Sequence, residues 1–483
     1  MATTRPNILL FLTDDHGAWA NGYAGNREIQ TPVLDRLAQQ GVSCSNAFTP
    51  TPVCSPARAS LLTGLNPSQV GIHDWLQEAD PAIAERDWLD GVPTLFDFFR
   101  AAGYATCLSG KWHLGQSHLA PTGCDEHFGL PHWQGAHNTP YTYVHNGKFV
   151  ELDGNKSAHI TTHALAFLDS LPGDRPFFLN VGYIATHSPY GQQHHDPART
   201  AQYAEAAFAD IPPYNSHPWC KNEDSPGESP PPGPLRDRYI GYYAAVSEID
   251  HNIGRILARL EETGRLENTI VVYTSDHGCA LGHHGFWGKG NSTRPLNMYE
   301  TSLRIPLIWS GPGLPAGHTV TRYVDHHDTF RTLLALAGVD VDVSAAYPGR
   351  SYVPLLQGHS SSWDDSRFGE YGDLRMVRTP TWKLVWRFPA GPHDLFNLAA
   401  DPGETVNLAA DPAHAARLAD LKAALDQFFA AHDTPAKSGL NVKQIPRHNL
   451  DAEAWRDGRR EARGLQRTQS SEARWHDDWR IRR

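Results

Sequence analysis

Short apolar runs alternate with helical patterns over the first two thirds of this chain, and that alternation narrows the choice of fold more than any other feature. The runs "NILLFLT" (7–13), "ATCLSG" (105–110), "PFFLNVGYI" (176–184), "TIVVYTS" (269–275) and "PLIWSG" (306–311) are of strand length and apolar on both faces. Between them, "PVLDRLAQQG" (32–41) and "TLFDFFRAAG" (94–103) end in glycine, where a helix C-cap is expected. Over 235–263, Tyr239, Tyr243, Val246, Ile249, Ile253, Ile256 and Leu260 recur at helical spacing and Gly264 closes the run. The pattern predicts an α/β fold: a large mixed, mainly parallel sheet sandwiched by helices.

After about residue 365 the pattern changes. "MVRTPTWKLVWRF" (376–388) and "HDLFNLAADPGETVNLA" (393–409) read as strand-bearing pieces, and a helix is expected at 412–431. The expected organisation is a catalytic α/β domain over 1–365, a smaller C-terminal α+β subdomain over 366–433, and an Arg-rich tail over 434–483. The tail carries Trp455, Trp475 and Trp479 and is a candidate for wrapping the body or for contact between copies in a homo-oligomer. The proline-rich stretch 211–234 reads as a long surface loop, with Trp219 pinning it or offering a platform.

Two of the strand runs end alike: "NILLFLTDDH" in Asp14-Asp15 and "TIVVYTSDHG" in Asp276-His277. Ligands of open α/β sheets bind beyond the carboxyl ends of the strands, so these pairs are expected to meet there. Three carboxylates favour a hard divalent cation, Ca²⁺ first, with Mg²⁺ possible and the imidazole admitting Mn²⁺. A single aspartate after a strand would be read as a helix cap; the same ending twice points to a metal site.

Three further turns deliver cations and histidines near strand ends. They are "SGKWHLG" with Lys111 and His113, "ATHSPY" with His187, and "FWGKGNS" with Lys289. With 27 histidines in the chain, no single one is informative. A metal, Arg58, two lysines and two histidines around Cys54 would together form a pocket for a tetrahedral oxyanion. Cations would hold the non-reacting oxygens and the histidines would move protons. Cys54 stands in "TPVCSPARASLLTG" (51–64), at a turn before an expected helix N-terminus. A thiolate is a poor match for attack at sulfur or phosphorus beside a hard cation, and spacing alone does not say what Cys54 becomes.

The six cysteines (44, 54, 107, 124, 220 and 279) form no CxxC pair and no disulfide framework, so free thiols are expected. The net charge of −11 argues against non-specific nucleic-acid binding, and no apolar run approaches a membrane span. In "MATTRPNILLFLTDDHG" two aspartates stand where an export signal would have its cleavage site, so a cytoplasmic location and a small substrate are expected.

The segment "CSPARASLLTG" resembles the signature of the type I sulfatases, of alkaline-phosphatase-like fold, in which the cysteine of C-x-P-x-R is oxidised to formylglycine. "TDDHG", "SGKWHLG", "THSPY", "TSDHG" and "WGKGN" follow the family's order. So do "AVSEIDHNIGRIL" (245–257), "MYETSLRIPLIWSGPG" (298–313) and "HDLFNLAADPGETVNLA", and the resemblance spans roughly 5–430. It implies a formylglycine-generating enzyme as maturation partner and a metal held by Asp14, Asp15, Asp276, His277 and residue 54. One hydroxyl of hydrated formylglycine at 54 would attack sulfur. Arg58, Lys111 and Lys289 would hold the sulfate and the formylglycine. His187, with Lys289, would protonate the departing alcohol, and His113 would take the proton of the second hydroxyl to release sulfate. Many relatives carry Asn where His277 stands, while Asp-His occurs among carbohydrate sulfatases and phosphonate monoester hydrolases.

The expectation is a sulfuric-ester hydrolase acting on a small sulfated carbohydrate. The alternatives are an arylsulfatase, a phosphonate monoester or phosphodiester hydrolase, and an inactive glycan binder. Specificity is expected in the loops 66–90, 116–160 and 188–234, with His73, Trp75, Trp133 and Arg294 as candidate contacts.

Overall fold

The computed structural model describes residues 5–132, 137, 140–173, 175–214, 217, 219, 235–340, 346–360 and 362–449. Ten strands form the main sheet: β1 (Asn7–Thr13), β2 (Val42–Cys44), β3 (Ala105–Gly110), β4 (Glu126–Gly129), β5 (Tyr141–His145), β6 (Lys148–Leu152), β7 (Phe177–Gly182), β8 (Thr269–Ser275), β9 (Leu307–Ser310) and β10 (His318–Val320). Their order is β10-β2-β9-β8-β1-β7-β3-β4-β5-β6. The run from β8 to β4 is parallel throughout, while β9 and the β5–β6 hairpin run against their neighbours.

The longer helices are α1 (Pro32–Gln40), α2 (Cys54–Thr63), α3 (Leu95–Ala101), α4 (Lys156–Ser170), α5 (Leu235–Glu262), α6 (His326–Leu336) and α7 (Ala415–His432). They cover both faces of the sheet, and the alternation of side chains along each strand feeds two cores. Ile8, Leu10 and Leu12 of β1 pack with α2, α3 and α6. Leu9 and Phe11 pack with α1, α4 and α5. Burial on both faces is why these strands read as unbroken apolar runs rather than as alternating ones.

A second sheet of four antiparallel strands, β11 (Arg367–Tyr371), β12 (Leu374–Arg378), β13 (Trp382–Arg387) and β14 (Asp394–Asn397), packs under α7. Its polar interior is paired: Lys383 meets both Glu300 and Glu404, and Arg375 meets Asp433 at 2.5 Å. The expected mainly parallel sheet between helices, with a small C-terminal antiparallel sheet, is therefore the architecture of the chain.

Two details differ from the sequence reading. The stretch 116–160 is not a run of specificity loops; it contains β4, β5, β6 and the start of α4. His73 is fully buried and donates from Nε2 to Lys437 O (2.8 Å), so it is an internal tie and not a surface contact. The first part of the tail crosses the body: Gly439 N donates to Ser68 Oγ at 2.9 Å, and Gln77 N to His448 O at 2.8 Å. Trp133, Trp455, Trp475 and Trp479 lie outside the described residues. No helix among those described is long and apolar enough to cross a membrane.

Candidate active site

The register of the central strands builds the site. Thr13 of β1 pairs with Ser275 of β8, so Asp14 and Asp276 leave adjacent strands side by side, and Asp276 N donates to Thr13 O at 3.0 Å. On the other flank Gly110 of β3 pairs with Gly182 of β7, and Lys111 N donates to Gly182 O at 3.0 Å, so Lys111 emerges at the same edge. Gly110 has φ +120°, and a Cβ there would lie 2.1 Å from Gly182 O; only glycine lets the two strands meet so closely.

Cys54 enters from above as the first residue of α2, a helix buried along its whole length. Its Sγ lies 2.9 Å from Lys289 Nζ, 3.4 Å from Asp14 Oδ1 and 3.4 Å from His277 Nε2. Lys289 comes from a short hairpin and also reaches Asp15 Oδ1 at 2.6 Å. Lys111 Nζ meets Asp14 Oδ2 at 2.5 Å. Arg58, one turn along α2 from Cys54 and fully buried, donates from Nε to Asp276 Oδ2 (2.9 Å) and from Nη1 to Lys111 O (3.0 Å), while its Nη2 has no protein partner.

The two histidines flank this cluster. His113 Nε2 bonds Leu76 O at 2.7 Å, which makes Nε2 the protonated nitrogen and leaves Nδ1 a lone pair without a hydrogen-bond partner. His187 lies 4.0 Å from Asp15 Oδ2 and keeps 18% of its side chain exposed. All the residues proposed for the site from sequence, Asp14, Asp15, Cys54, Arg58, Lys111, His113, His187, Asp276, His277 and Lys289, thus lie at one sheet edge. Trp75 and Arg294 have partners of their own. Trp75 packs in an apolar cluster with Phe48 and Leu374, and Arg294 donates to the backbone of Asn291 and Thr293. Arg294 N also bonds Trp219 O, and Arg387 sits over the Trp219 ring, so this tryptophan pins its loop.

Electrostatics explain how so many charges share a buried place. Burial would raise the Cys54 thiol, but Lys111, Lys289 and His277 outweigh it and hold it well below the usual thiol range. Burial would likewise raise Asp14, yet the lysines and His187 hold it low. Asp276 is pushed up to about 7 by burial and by Asp14 beside it. His277 is driven up to about 9: burial opposes the charge, but Asp276 and Asp15 overcome it. His113 goes the other way, down to about 4, through burial and the neighbouring Lys111.

The donor set fits a divalent cation. Asp14, Cys54, Asp276 and His277 bring ligand atoms within 4.8 Å of one another, as do Asp14, Asp15, Cys54 and His187. Three acids and a thiolate face three fixed cations, and the proton drawn onto His277 balances the remaining negative charge. A metal would take that proton's place.

Several supporting residues carry no signal in the sequence. Tyr242 OH donates to Asp15 O (2.9 Å) and accepts from Gly17 N (3.0 Å), fixing Asp15 at its φ of +55°. His326 Nε2 bonds Asp276 O at 2.9 Å. Glu78 accepts from Gly115 N (2.7 Å) and from Ser117 Oγ (2.8 Å), clamping the turn in which His113 sits at φ +63°. Tyr242 lies on the helix α5, whose apolar period was legible; Glu78 is one acid in a loop and belongs to no motif.

Comparison with known proteins agrees with this geometry. The profile of the sulfatase family matches residues 6–339, and that of the N-sulphoglucosamine sulphohydrolase C-terminal region matches 282–431. An ulvan-active sulfatase of Formosa agariphila is 31% identical over 426 residues, covering 82% of this chain and 76% of that protein. The human N-acetylgalactosamine-6-sulfatase is 30% identical over 429 residues, covering 79% and 73%. A protein solved in complex with its substrate D-glucosamine-2-N,6-O-disulfate superposes with a TM-score of 0.74 at 25% identity, over 88% of this chain and 98% of that one.

Proposed function

The chain belongs to the sulfatase family and hydrolyses sulfate esters; on that premise we propose that its substrate is a small sulfated carbohydrate, cleaved by residue 54 in its formylglycine form beside a divalent metal. The observation that carries the reading is the convergence on Cys54 of Lys289, Asp14 and His277, all within 3.4 Å, with Arg58 one helical turn away. The carbohydrate choice is supported by relatives named for ulvan and for N-acetylgalactosamine 6-sulfate.

Asp14, Asp15, Asp276 and His277, with residue 54, would hold the metal, for which Ca²⁺ suits the three carboxylates best. Once bound it would supply positive charge to a sulfate oxygen and ease ionisation of a hydroxyl. Formylglycine, hydrated, would supply two hydroxyls where the cysteine offers one soft sulfur.

The chain's own groups then divide the work. Arg58, with Nη2 still to be satisfied, and Lys111 bind the non-reacting sulfate oxygens and stabilise their growing charge. Lys289 orients residue 54 through its 2.9 Å contact. His187 bonds Ser188 O through Nδ1 (3.0 Å), and Asp15 overcomes burial to raise its affinity for a second proton. Partly open to solvent, it holds that proton where the alcohol departs and delivers it. His113 is neutral at pH 7 with its Nδ1 lone pair toward residue 54, so it accepts a proton there in the step that frees sulfate.

The test pairs a mass measurement with an activity panel. Tryptic peptide 37–58 contains Cys44 and Cys54, so protein co-produced with a formylglycine-generating enzyme should show conversion at 54 and an intact Cys44. Converted protein should release sulfate from sulfated mono- or oligosaccharides faster than from aryl sulfates. Two intact thiols in a preparation that hydrolyses sulfate esters would overturn the formylglycine assignment, and preference for aryl sulfates would overturn the carbohydrate one.

A further inference from the structure

A second cluster of metal-ligating side chains stands away from the catalytic edge. We propose that Glu126, His145 and His163 form a separate binding site for a borderline divalent transition ion such as Zn²⁺, clamping the edge hairpin β5–β6 to helix α4.

Glu126 opens β4, His145 closes β5, and His163 projects from the middle of α4, its ring stacked on Phe128 at 4.9 Å. Glu126 Oε1 is 2.7 Å from His145 Nε2 and 3.2 Å from His163 Nε2, and the three ligand atoms lie within 4.8 Å of one another. Hydrogen bonds behind the ligands fix their roles. Ser109 Oγ donates to Ile160 O (2.7 Å), so it accepts from His163 Nδ1–H at 3.2 Å. The Nε2 of His163 therefore aims a lone pair at a carboxylate oxygen, and two acceptors face each other until a cation comes between them. The other oxygen of Glu126 accepts from Asn146 Nδ2 (2.9 Å), whose own Oδ1 accepts from His127 N (2.8 Å). Oriented imidazoles backed by such partners are what metal ligation uses.

The donor types select the ion. Two imidazoles and one carboxylate suit Zn²⁺ and similar ions, with water in the remaining position, and not Ca²⁺. His145 is about half exposed, so the site opens to solvent. It is also distinct from the catalytic cluster. Glu126 lies three residues before Gly129, the partner of Gly110 at the catalytic edge, which is ~10 Å along the strand.

Untagged, formylglycine-bearing protein saturated with Ca²⁺ at the catalytic site provides the test. Zn²⁺ is titrated by calorimetry, and the thermal midpoint is followed with and without it. The wild type should bind one Zn²⁺ per chain at this site and unfold at a higher temperature in its presence. His145→Ala, an exposed change, should weaken that binding at least tenfold and abolish the thermal shift while sulfate release continues unchanged. Ser109→Ala should weaken it by ~10–100-fold, as loss of an outer partner does. Equal Zn²⁺ binding by wild type and His145→Ala, or no binding by either, would overturn the site.

Discussion

Replacing Gly110 by alanine tests how the sheet sets the catalytic groups. The new Cβ would sit 2.1 Å from Gly182 O, 2.8 Å from its carbonyl carbon and 3.0 Å from its Cα. Reaching an ordinary contact of 3.4 Å requires β3 and β7 to part by 1.3 Å at this point, and all three obstacles are backbone. That separation breaks the bond from Lys111 N to Gly182 O, about 1 kcal/mol. The φ of +120° adds ~1–2 kcal/mol for any residue with a Cβ, so a loss of ~2–3 kcal/mol in stability is expected. The effect on turnover should be larger in proportion. Lys111 reaches Asp14 at 2.5 Å, and its carbonyl holds Arg58, so a shift of about 1 Å moves together the two cations proposed to bind sulfate and should lower kcat by ~10²-fold. Gly103→Ala is the control: it also has positive φ, +89°, but nothing lies within 4 Å of its Cβ. Thermal unfolding and kcat on a sulfate ester, measured for both variants, separate the backbone cost from the clash. If Gly110→Ala matched Gly103→Ala in stability and kept the wild-type kcat, the account of how Lys111 is positioned would be wrong.

Three other outcomes are expected. His113→Ala should release about one equivalent of alcohol per active site in a rapid phase and then stall with little free sulfate; stopped-flow detection of both products checks it, and matched steady release would remove His113 from the second step. Ca²⁺ binding at pH 7 should release between one and two protons, because the metal displaces the one that Asp276 and Asp15 hold on His277, raised to about 9 against burial, and the share of a proton on Asp276, raised to about 7. Calorimetry in buffers of different ionisation enthalpy measures it, affinity should climb as pH rises toward 9, and binding without proton release would contradict the charge balance of the site. Glu78 is raised by burial to about 7 from an ordinary 4.5, so folding favours its protonated form. Its contribution is complete below about pH 4.5 and fades as pH rises through 7, and Glu78→Gln should flatten that decline by up to ~1.4 kcal/mol per pH unit in denaturant titrations.

What the sequence disclosed and what it hid follow from burial. The runs 7–13 and 269–275 were legible because both faces of those strands are inside, and the aspartates after them stand out against the apolar residues. The hairpin β5–β6 was hidden because it lies at the sheet edge, where Lys148–Leu152 is half polar and partly exposed. A signal was present: Asn146-Gly147, both at positive φ, is the turn of a tight hairpin, and the same asparagine orients Glu126. The strands Val42–Cys44 and His318–Val320 are too short to show any period. His73 misled because imidazole serves equally well as a buried tie or a surface contact, and only the chain crossing at Lys437 decides between them. The residues that converge at the candidate site were legible because they sit in compact motifs at strand ends. Their supports, Tyr242, His326 and Glu78, arrive from distant segments and carry no local pattern.

The burial of α2 also orders the life of the molecule in time. Cys54 is 2% exposed, at the foot of a helix with every residue inside, beneath Lys289 and the acidic pair. An oxidising enzyme that must grip the residues around Cys54 as an extended peptide has no access to them once the sheet has closed. If residue 54 is converted at all, conversion has to win a race against folding, and a chain that folds first is left with a native shape and an inert thiol. The yield of working enzyme in any host then depends on the relative speeds of those two events, and protein refolded unconverted would be beyond later repair unless it unfolds again.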